Sequence, residues 1–210
     1  MDVQLPSVFD GVEGHCIYID TEGSFVVERA VEIAESLVKH VQNNLVSSKE
    51  QFDSISTTFN VNSILSHIYY YRIHDYIEQL ALINLLPQIL TEQYPNVKLI
   101  VIDSITFHFR HDFDNMSIRT RLLNTMAQNL MYLAEKHGIA VVLINQMTTK
   151  IDSHSDHSTL VPALGESWGH NCTNRIILYW NQGQRNAYLF KSPSKKADIA
   201  PYVVSEEGIR

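Results

Sequence analysis

The sequence predicts an α/β protein: a mostly parallel sheet with flanking helices on both faces and an antiparallel edge near the C-terminus. Short β-branched and aromatic runs alternate with stretches of helical period, the pattern of a parallel sheet. Three of the apolar runs, residues 16–22, 98–103 and 139–146, end in Glu22, Asp103 and the Asn145-Gln146 pair. A parallel sheet aligns such ends along one rim, where ligands of this fold class bind. The C-terminal stretch after residue 174 reads as short strands with turn residues between them.

Residues 17–20 form the first predicted strand, broken by Thr21-Glu-Gly23. Ser24 is a candidate helix cap, and Val27, Ala30, Val31, Ala34, Leu37, Val38 and Val41 then recur at helical spacing. Residues 47–58 are polar and read as a surface excursion. A short helix is expected from Asn60 through Leu65, then a strand over residues 68–73. Asp75 and Glu78 have capping-box spacing ahead of Leu80, Ile83, Leu86 and Leu90. Pro87 is expected to kink that helix or end it early. A strand over residues 99–102 leads through a polar loop to a long helix, with Ser117 as its expected cap and Gly138 at its left-handed end. Residues 139–144 form another strand. Residues 146–170 show no period, and a loop of that length is usually functional or disordered. Strands follow over residues 175–180, 187–190 and 202–204, with a hairpin turn at Asn181-Gln-Gly-Gln184.

Composition bounds the reading. The chain has 210 residues, with hydrophobic residues at 45% and charged residues at 19%. Those proportions describe an ordinary globular protein. The apolar runs are too short to span a membrane, and no secretory pattern opens the chain. Two cysteines far apart, Cys16 in an apolar run, fit a reducing compartment. The net charge of −7 argues against a strongly basic nucleic-acid-binding domain but leaves room for a local stripe. Arg110, Arg119 and Arg121 make one basic group; Lys191, Lys195 and Lys196 make another. By charge alone each is a solvated face.

The polar strand ends suit nucleotide hydrolysis. Asp103 follows four aliphatic residues, a position that holds Mg²⁺ beside phosphates, although an Asp that starts a turn has the same local pattern. Glu22 is placed to orient or deprotonate a water; the helix that follows favours negative charge there in any case. The Gln146 amide can donate to a γ-phosphate and pass its presence to the next loop. A Gly-rich loop with Lys-Ser/Thr is not in the sequence. His154 and His157 beside Asp152 and Asp156, and His108 with His111, invite a zinc reading, but scattered histidines in a polar loop fit better than three converging ligands. No Gly-x-Ser-x-Gly elbow supports a serine triad.

The string Tyr18-Ile-Asp-Thr-Glu-Gly-Ser-Phe25 with Glu28-Arg29 resembles the RecA-like recombinases of eukaryotes and archaea. So do Phe109-Arg-His-Asp112, Ile118-Arg-Thr-Arg-Leu-Leu-Asn124, Asn145-Gln-Met-Thr-Thr-Lys-Ile-Asp152, Val161-Pro-Ala-Leu-Gly-Glu-Ser-Trp-Gly-His170 and Lys191-Ser-Pro-Ser194. These segments are most similar to the "C" branch, the third homologue, among paralogues of the eukaryotic strand-exchange recombinase. The resemblance implies a partial RecA-like ATPase core over residues 1–210, without the phosphate-loop strand and helix. It implies ATP and Mg²⁺ as cofactors, with Glu22 catalytic, Gln146 sensing the γ-phosphate, Asp103 at the metal, Arg29 on adenine and Lys191 near a neighbouring subunit's nucleotide. Arg110, Arg119, Arg121 and Lys150 fall in two DNA-facing loops. Single-stranded and branched DNA and other recombinase paralogues are the implied partners, and the nucleus, with the cytoplasm beside it, the implied location. The role implied is homologous-recombination repair by a DNA-dependent ATPase; the alternative is a non-catalytic module that docks on partner paralogues. Because the phosphate loop supplies most phosphate contacts, this chain alone is expected to have negligible ATPase activity and marginal stability, with strands left unpaired.

Overall fold

The computed structural model describes residues 1–44, 55–111, 113, 115–151 and 158–210. The polar stretch anticipated over residues 47–58 therefore lies partly outside the described residues, as do Asp152, His154, Asp156 and His157. The chain divides into two compact units, each taken by itself.

One unit comprises Asp2–Phe25 and His67–Asn171. Its centre is a four-stranded parallel sheet of β1 (His15–Asp20), β2 (Ile68–Arg72), β3 (Val97–Asp103) and β4 (Ala140–Leu143), in the order β2-β1-β3-β4. The register sets Asp20 opposite both Arg72 and Asp103, so the strand ends share one rim. Ile17, Ile19, Ile100 and Ile102 are fully buried and alternate with half-buried Tyr18 and Val101, so one face of the sheet carries the core. Helices α1 (Val27–Asn44) and α2 (Val61–Ser66) belong to the other unit. In this one, α3 (Tyr76–Gln88) and the longer α5 (Met116–His137) follow β2 and β3, with the one-turn α4 (Phe107–His111) between β3 and α5. Leu82, Ile83 and Leu86 of α3 and Leu123, Met126, Leu130 and Leu133 of α5 join the strand residues in one core cluster.

Local chemistry sets the ends of these helices. The Asp75 carboxylate accepts from Glu78 N at 2.7 Å. Glu78 Oε2 in turn accepts from His74 N at 2.8 Å. This is the reciprocal pairing that the spacing suggested, with the return bond reaching the residue before the cap. Pro87 does not end α3, which runs one residue past it and opens at once into a π-helical turn, Ile89–Gln93. A proline late in the helix forfeits one backbone donor, and the wider turn carries the strain of its ring. The cap of α5 is Asn115 rather than Ser117: its Oδ1 accepts from Ser117 N at 2.9 Å and Ile118 N at 3.2 Å. Asn115→Ala is expected to cost about 1 kcal/mol, read as a lower urea midpoint at unchanged slope. Gly138 closes α5 at φ 59°, as its position suggested.

The stretch 146–170 contains structure that the sequence pattern did not reveal. Strands β5 (Met147–Ile151) and β6 (Ser158–Pro162) pair antiparallel, and α6 (Gly165–Asn171) follows. Strand β4 is hydrogen-bonded to β3 alone among the described residues, and Val142 and Ile144 are 42% and 41% exposed.

The other unit holds Met1, Val26–Ser66 and Cys172–Arg210. Helix α1 (Val27–Asn44) buries Ala30, Ala34 and Val41 and lies against α2 (Val61–Ser66). Strands β7 (Arg175–Asn181), β8 (Gln184–Lys191) and β9 (Ile199–Tyr202) form an antiparallel sheet whose first hairpin turns at the predicted residues. A two-stranded hairpin, β10 (Val204–Ser205) and β11 (Gly208–Ile209), ends the chain. No helix among the described residues is long and apolar enough to cross a membrane. Both thiols are free, Cys16 buried and Cys172 half-buried; burial pushes the Cys16 thiol up to about 11.

Candidate nucleotide-hydrolysis site

The rim of the parallel sheet gathers Asp20 at the end of β1 with Glu22 beyond it, Asp103 at the end of β3 with Ser104 beyond it, and Asn145 and Gln146 after β4. Glu22 Oε1 accepts from Ser104 Oγ at 2.5 Å and from Gln146 Nε2 at 2.6 Å. These contacts join residues 82 and 124 positions apart in sequence. Gln146 Oε1 accepts in turn from Arg110 Nη1 at 2.8 Å. Neighbouring Asn145 is fixed at both amide ends: Thr106 Oγ1 donates to its Oδ1 at 2.8 Å, and its Nδ2 donates to Ala163 O at 3.1 Å.

Glu22 is held in place by the residue two before it. Asp20 is fully buried, and its carboxylate accepts from the backbone N–H groups of Glu22, Gly23, Ser24 and Phe25, at 3.0, 2.7, 3.3 and 3.1 Å. Tyr70 Oη adds a fifth donor at 3.0 Å. Ser24 is thus one of the donors wrapped on Asp20. Gly23 takes φ 75° in this wrap. A Cβ there would meet the Arg72 guanidinium at 3.0 Å. Both facts explain the residue type. Burial pushes the Asp20 carboxyl up, but these hydrogen bonds outweigh it, and the net position is below the usual carboxylate range. Thr21 and Ser104, both fully buried, exchange two 2.8 Å bonds and extend the β1–β3 ladder to the site.

Asp103 is half-buried, and its Oδ2 accepts from Tyr18 Oη at 2.7 Å. Burial, then the Asp103 carboxylate, pushes the Tyr18 phenol well up, so it stays a donor. The Asp103–Ser104 peptide bond is cis. A single half-exposed carboxylate of hard oxygens, with no cluster of three potential ligands among the described residues, fits a Mg²⁺ ion that completes its shell with water and phosphate rather than an all-protein cage. The same absence leaves the zinc reading without described ligands. His108 is buried against Ile73 O at 3.3 Å, and the His111 side chain lies outside the described residues.

The remaining predicted residues stand elsewhere. Arg119 Nε donates to Phe109 O at 2.6 Å, and burial pulls its guanidinium down. Arg121 is exposed on α5, beside Ser117, Thr120, Asn124 and Gln128. Lys150 belongs to β5, but its side chain is outside the described residues. Arg29 and Lys191 belong to the other unit. Arg29 donates to Glu32 Oε2 and Glu206 O, each at 2.6 Å, and also to Ser205 O. Lys191 Nζ donates to Cys172 O at 2.7 Å.

Sequence reading found Glu22, Asp103 and Gln146 but not Asp20, Tyr18, Thr106 or the role of Ser104. The signal for Ser104 was available: a hydroxyl directly after the strand-end acid. Asp20 read only as the last residue of a strand.

Comparison with known proteins shows the family. The family model described as Rad51 matches residues 1–51 and 38–210. The chain is 48% identical over 211 residues to DNA repair protein RAD51 homolog 3 of Cricetulus griseus, covering 100% of this chain and 57% of that protein. It is 47% identical over 212 residues to the homolog 3 protein of Dictyostelium discoideum, covering 100% and 54%. Human DNA repair protein RAD51 homolog 2 is 31% identical over 231 residues, covering 98% and 56%. The chain thus spans a little over half the length of these curated relatives and is more similar to the two homolog 3 proteins than to homolog 2. With its parallel sheet, its rim of strand-end polar groups and a family match along its length, the chain belongs to the Rad51 family.

Proposed function

We propose that this chain supplies the water-handling and metal-binding side of a nucleotide-hydrolysis site in a homologous-recombination repair protein acting in the nucleus. The observation that carries the reading is the convergence of Glu22, Ser104 and Gln146 beside Asp103 on one rim. Glu22 is the base that orients and deprotonates a water. Ser104 and Gln146 occupy its Oε1, which leaves Oε2 to face that water. Asp103 is the residue that would hold Mg²⁺, and the ion, when bound, neutralises charge on the transferring phosphate. Tyr18 Oη holds the Asp103 carboxylate through a 2.7 Å hydrogen bond. Gln146 stands between Glu22 and the strand β5, so a change at a bound phosphate reaches the segment that the resemblance assigns to DNA. Arg121, exposed on α5, is the arginine of this region best placed for nucleic-acid phosphate; Arg119 has one N–H already committed to Phe109 O.

ATP turnover by the chain assembled with partner paralogues and single-stranded DNA tests the reading. Glu22→Gln is expected to lower that turnover about 100-fold while leaving the assembly intact. Turnover indifferent to Glu22→Gln would mean that hydrolysis belongs to the partners.

A second reading, a non-catalytic module that docks on paralogues, is favoured by exposed apolar surface. Ile176, Leu178 and Trp180 alternate along β7 at 63%, 61% and 62% exposure. Strand β4 also presents an edge with no partner strand among the described residues. Exposed apolar rows of this kind mark interaction surfaces. Pull-down with partner paralogues, with and without ATP, separates the two: capture that needs no ATP supports the module.

A further inference from the structure

We propose that Arg110 is a positioning residue that fixes which end of the Gln146 amide faces Glu22. A primary amide presents an acceptor at one end and two donors at the other, and a half-turn exchanges them. Turned one way, Gln146 donates to the Glu22 carboxylate; turned the other, its oxygen faces that carboxylate and repels it. The carboxylate favours the donor end, and the group at the opposite end either reinforces or opposes that choice. Here that group is the Arg110 guanidinium, at 2.8 Å from Gln146 Oε1. A guanidinium donates and has no acceptor capacity. Its presence is compatible only with Nε2 pointing at Glu22, where the 2.6 Å contact stands. Asn145 plays no part in the choice, because both ends of its own amide are taken by Thr106 and Ala163.

Arg110 is exposed, yet its backbone is well anchored. It follows Phe109 on α4, fully buried, and His108, 6% exposed. The Phe109 carbonyl accepts from Arg119 Nε at 2.6 Å, which ties the end of α4 to the first turn of α5. A continuous line of contacts therefore runs from Arg119 through Phe109 and Arg110 to Gln146, Glu22 and Ser104. Arg110, one of the basic residues that resemblance assigns to a DNA-facing loop, thereby acts on the Glu22 carboxylate through Gln146. The orientation itself rests on geometry alone; its consequence for turnover rests on the hydrolysis reading above.

The test labels the 210-residue chain with ¹⁵N-glutamine and follows the Gln146 side-chain amide by NMR, the signal being assigned by its loss in Gln146→Leu. Arg110→Met is expected to speed solvent exchange of that amide about tenfold, one factor of ten being the loss of a modest hydrogen-bond contribution. Arg110→Lys, whose ammonium still donates but cannot accept, is expected to restore most of the protection. Because Arg110 is exposed, both variants should melt within about 2 °C of the parent. Unchanged Gln146 exchange in Arg110→Met overturns the proposal. So does a large melting loss shared by Arg110→Met and Arg110→Lys, which would make Arg110 a structural residue. In the turnover assay of the assembly, Arg110→Met should lower the rate in the parent but add nothing in a Gln146→Leu background. Intact NMR behaviour with additive rates would count against the hydrolysis reading and leave the positioning role standing.

Discussion

Asp20→Ala is expected to remove about 3–5 kcal/mol of stability, enough to leave a protein of ordinary stability largely unfolded. The size follows from how many donors this one carboxylate satisfies. Four backbone N–H groups and a tyrosine hydroxyl converge on it in a fully buried position, and Arg72 Nη1 stands 3.8 Å from Oδ1. Alanine strands these donors without an acceptor, and each buried orphan costs on the order of 1–3 kcal/mol before relaxation. Asp20→Asn keeps one acceptor oxygen but turns an NH₂ group toward Phe25 N or Tyr70 Oη, so it should fall about midway. The same residue gives the protein an acid dependence. Its carboxyl titrates below the usual range in the folded state, so the unfolded chain binds the proton more readily. The stabilisation is therefore full above the unfolded carboxylate pKa of about 4 and is lost as pH falls through the lower folded value. Denaturant melts from pH 7 to pH 3 should show the gap between the parent and Asp20→Asn narrowing only at the acid end. A gap that narrows instead between pH 7 and pH 5 would assign the effect to histidines.

Asp20 also shows what a sequence can and cannot disclose about such a site. The rim was legible because it follows from two local facts: apolar runs make strands, and a polar residue at the end of each run must sit at a strand end. A parallel sheet then collects those ends whatever the loops do, which is why Glu22, Asp103 and Gln146 meet. The residues that hold them were less legible: Tyr18, Tyr70 and Thr106 act across the sheet, and the wrap of residues 22–25 on Asp20 is a turn that the sequence did not single out. Nothing near Asp20 indicates that its carboxylate will collect Tyr70, and nothing near Arg110 points to Gln146. Where two local signals compete, tertiary context decides: Asn115 and Ser117 are both good caps, and the one nearer the turn out of α4 takes the role. Strands β5 and β6 escaped notice for a different reason. Met147-Thr-Thr-Lys-Ile151 has neither clean alternation nor an apolar run, and its pairing with Ser158–Pro162 supplies what propensity does not. Pro87, expected to kink its helix or end it early, lets the α-helix run one residue further before the π-helical turn begins.

The same separation between local cause and distant consequence makes Phe109→Ala the second large effect. Phe109 is fully buried, stacked on Phe113 with ring centres 5.3 Å apart and edge-on to Tyr76 at 6.2 Å. Truncation removes the packing of a whole ring and leaves a cavity that a five-residue helix cannot close, at a cost of about 3–5 kcal/mol. Phe109→Leu, which fills most of the space, should cost about 1–2 kcal/mol. The loss does not stop at the core. Phe109 precedes Arg110, and its carbonyl is the acceptor for Arg119. A ring that no longer anchors α4 lets the Arg110 backbone move, and the Gln146 amide then loses the donor that orients it. Phe109→Leu is the informative variant, because it stays folded. If α4 is the seat of Arg110, Phe109→Leu should accelerate exchange of the Gln146 side-chain amide by a measurable factor, although the substitution changes neither the Arg110 nor the Gln146 side chain. Denaturant midpoints for both variants, with amide exchange for the leucine variant, give the two quantities. A Phe109→Ala loss below about 1 kcal/mol would contradict the tight seat. A leucine variant that loses stability while Gln146 exchange stays unchanged would separate the core from the site and place the control of Gln146 in the arginine alone.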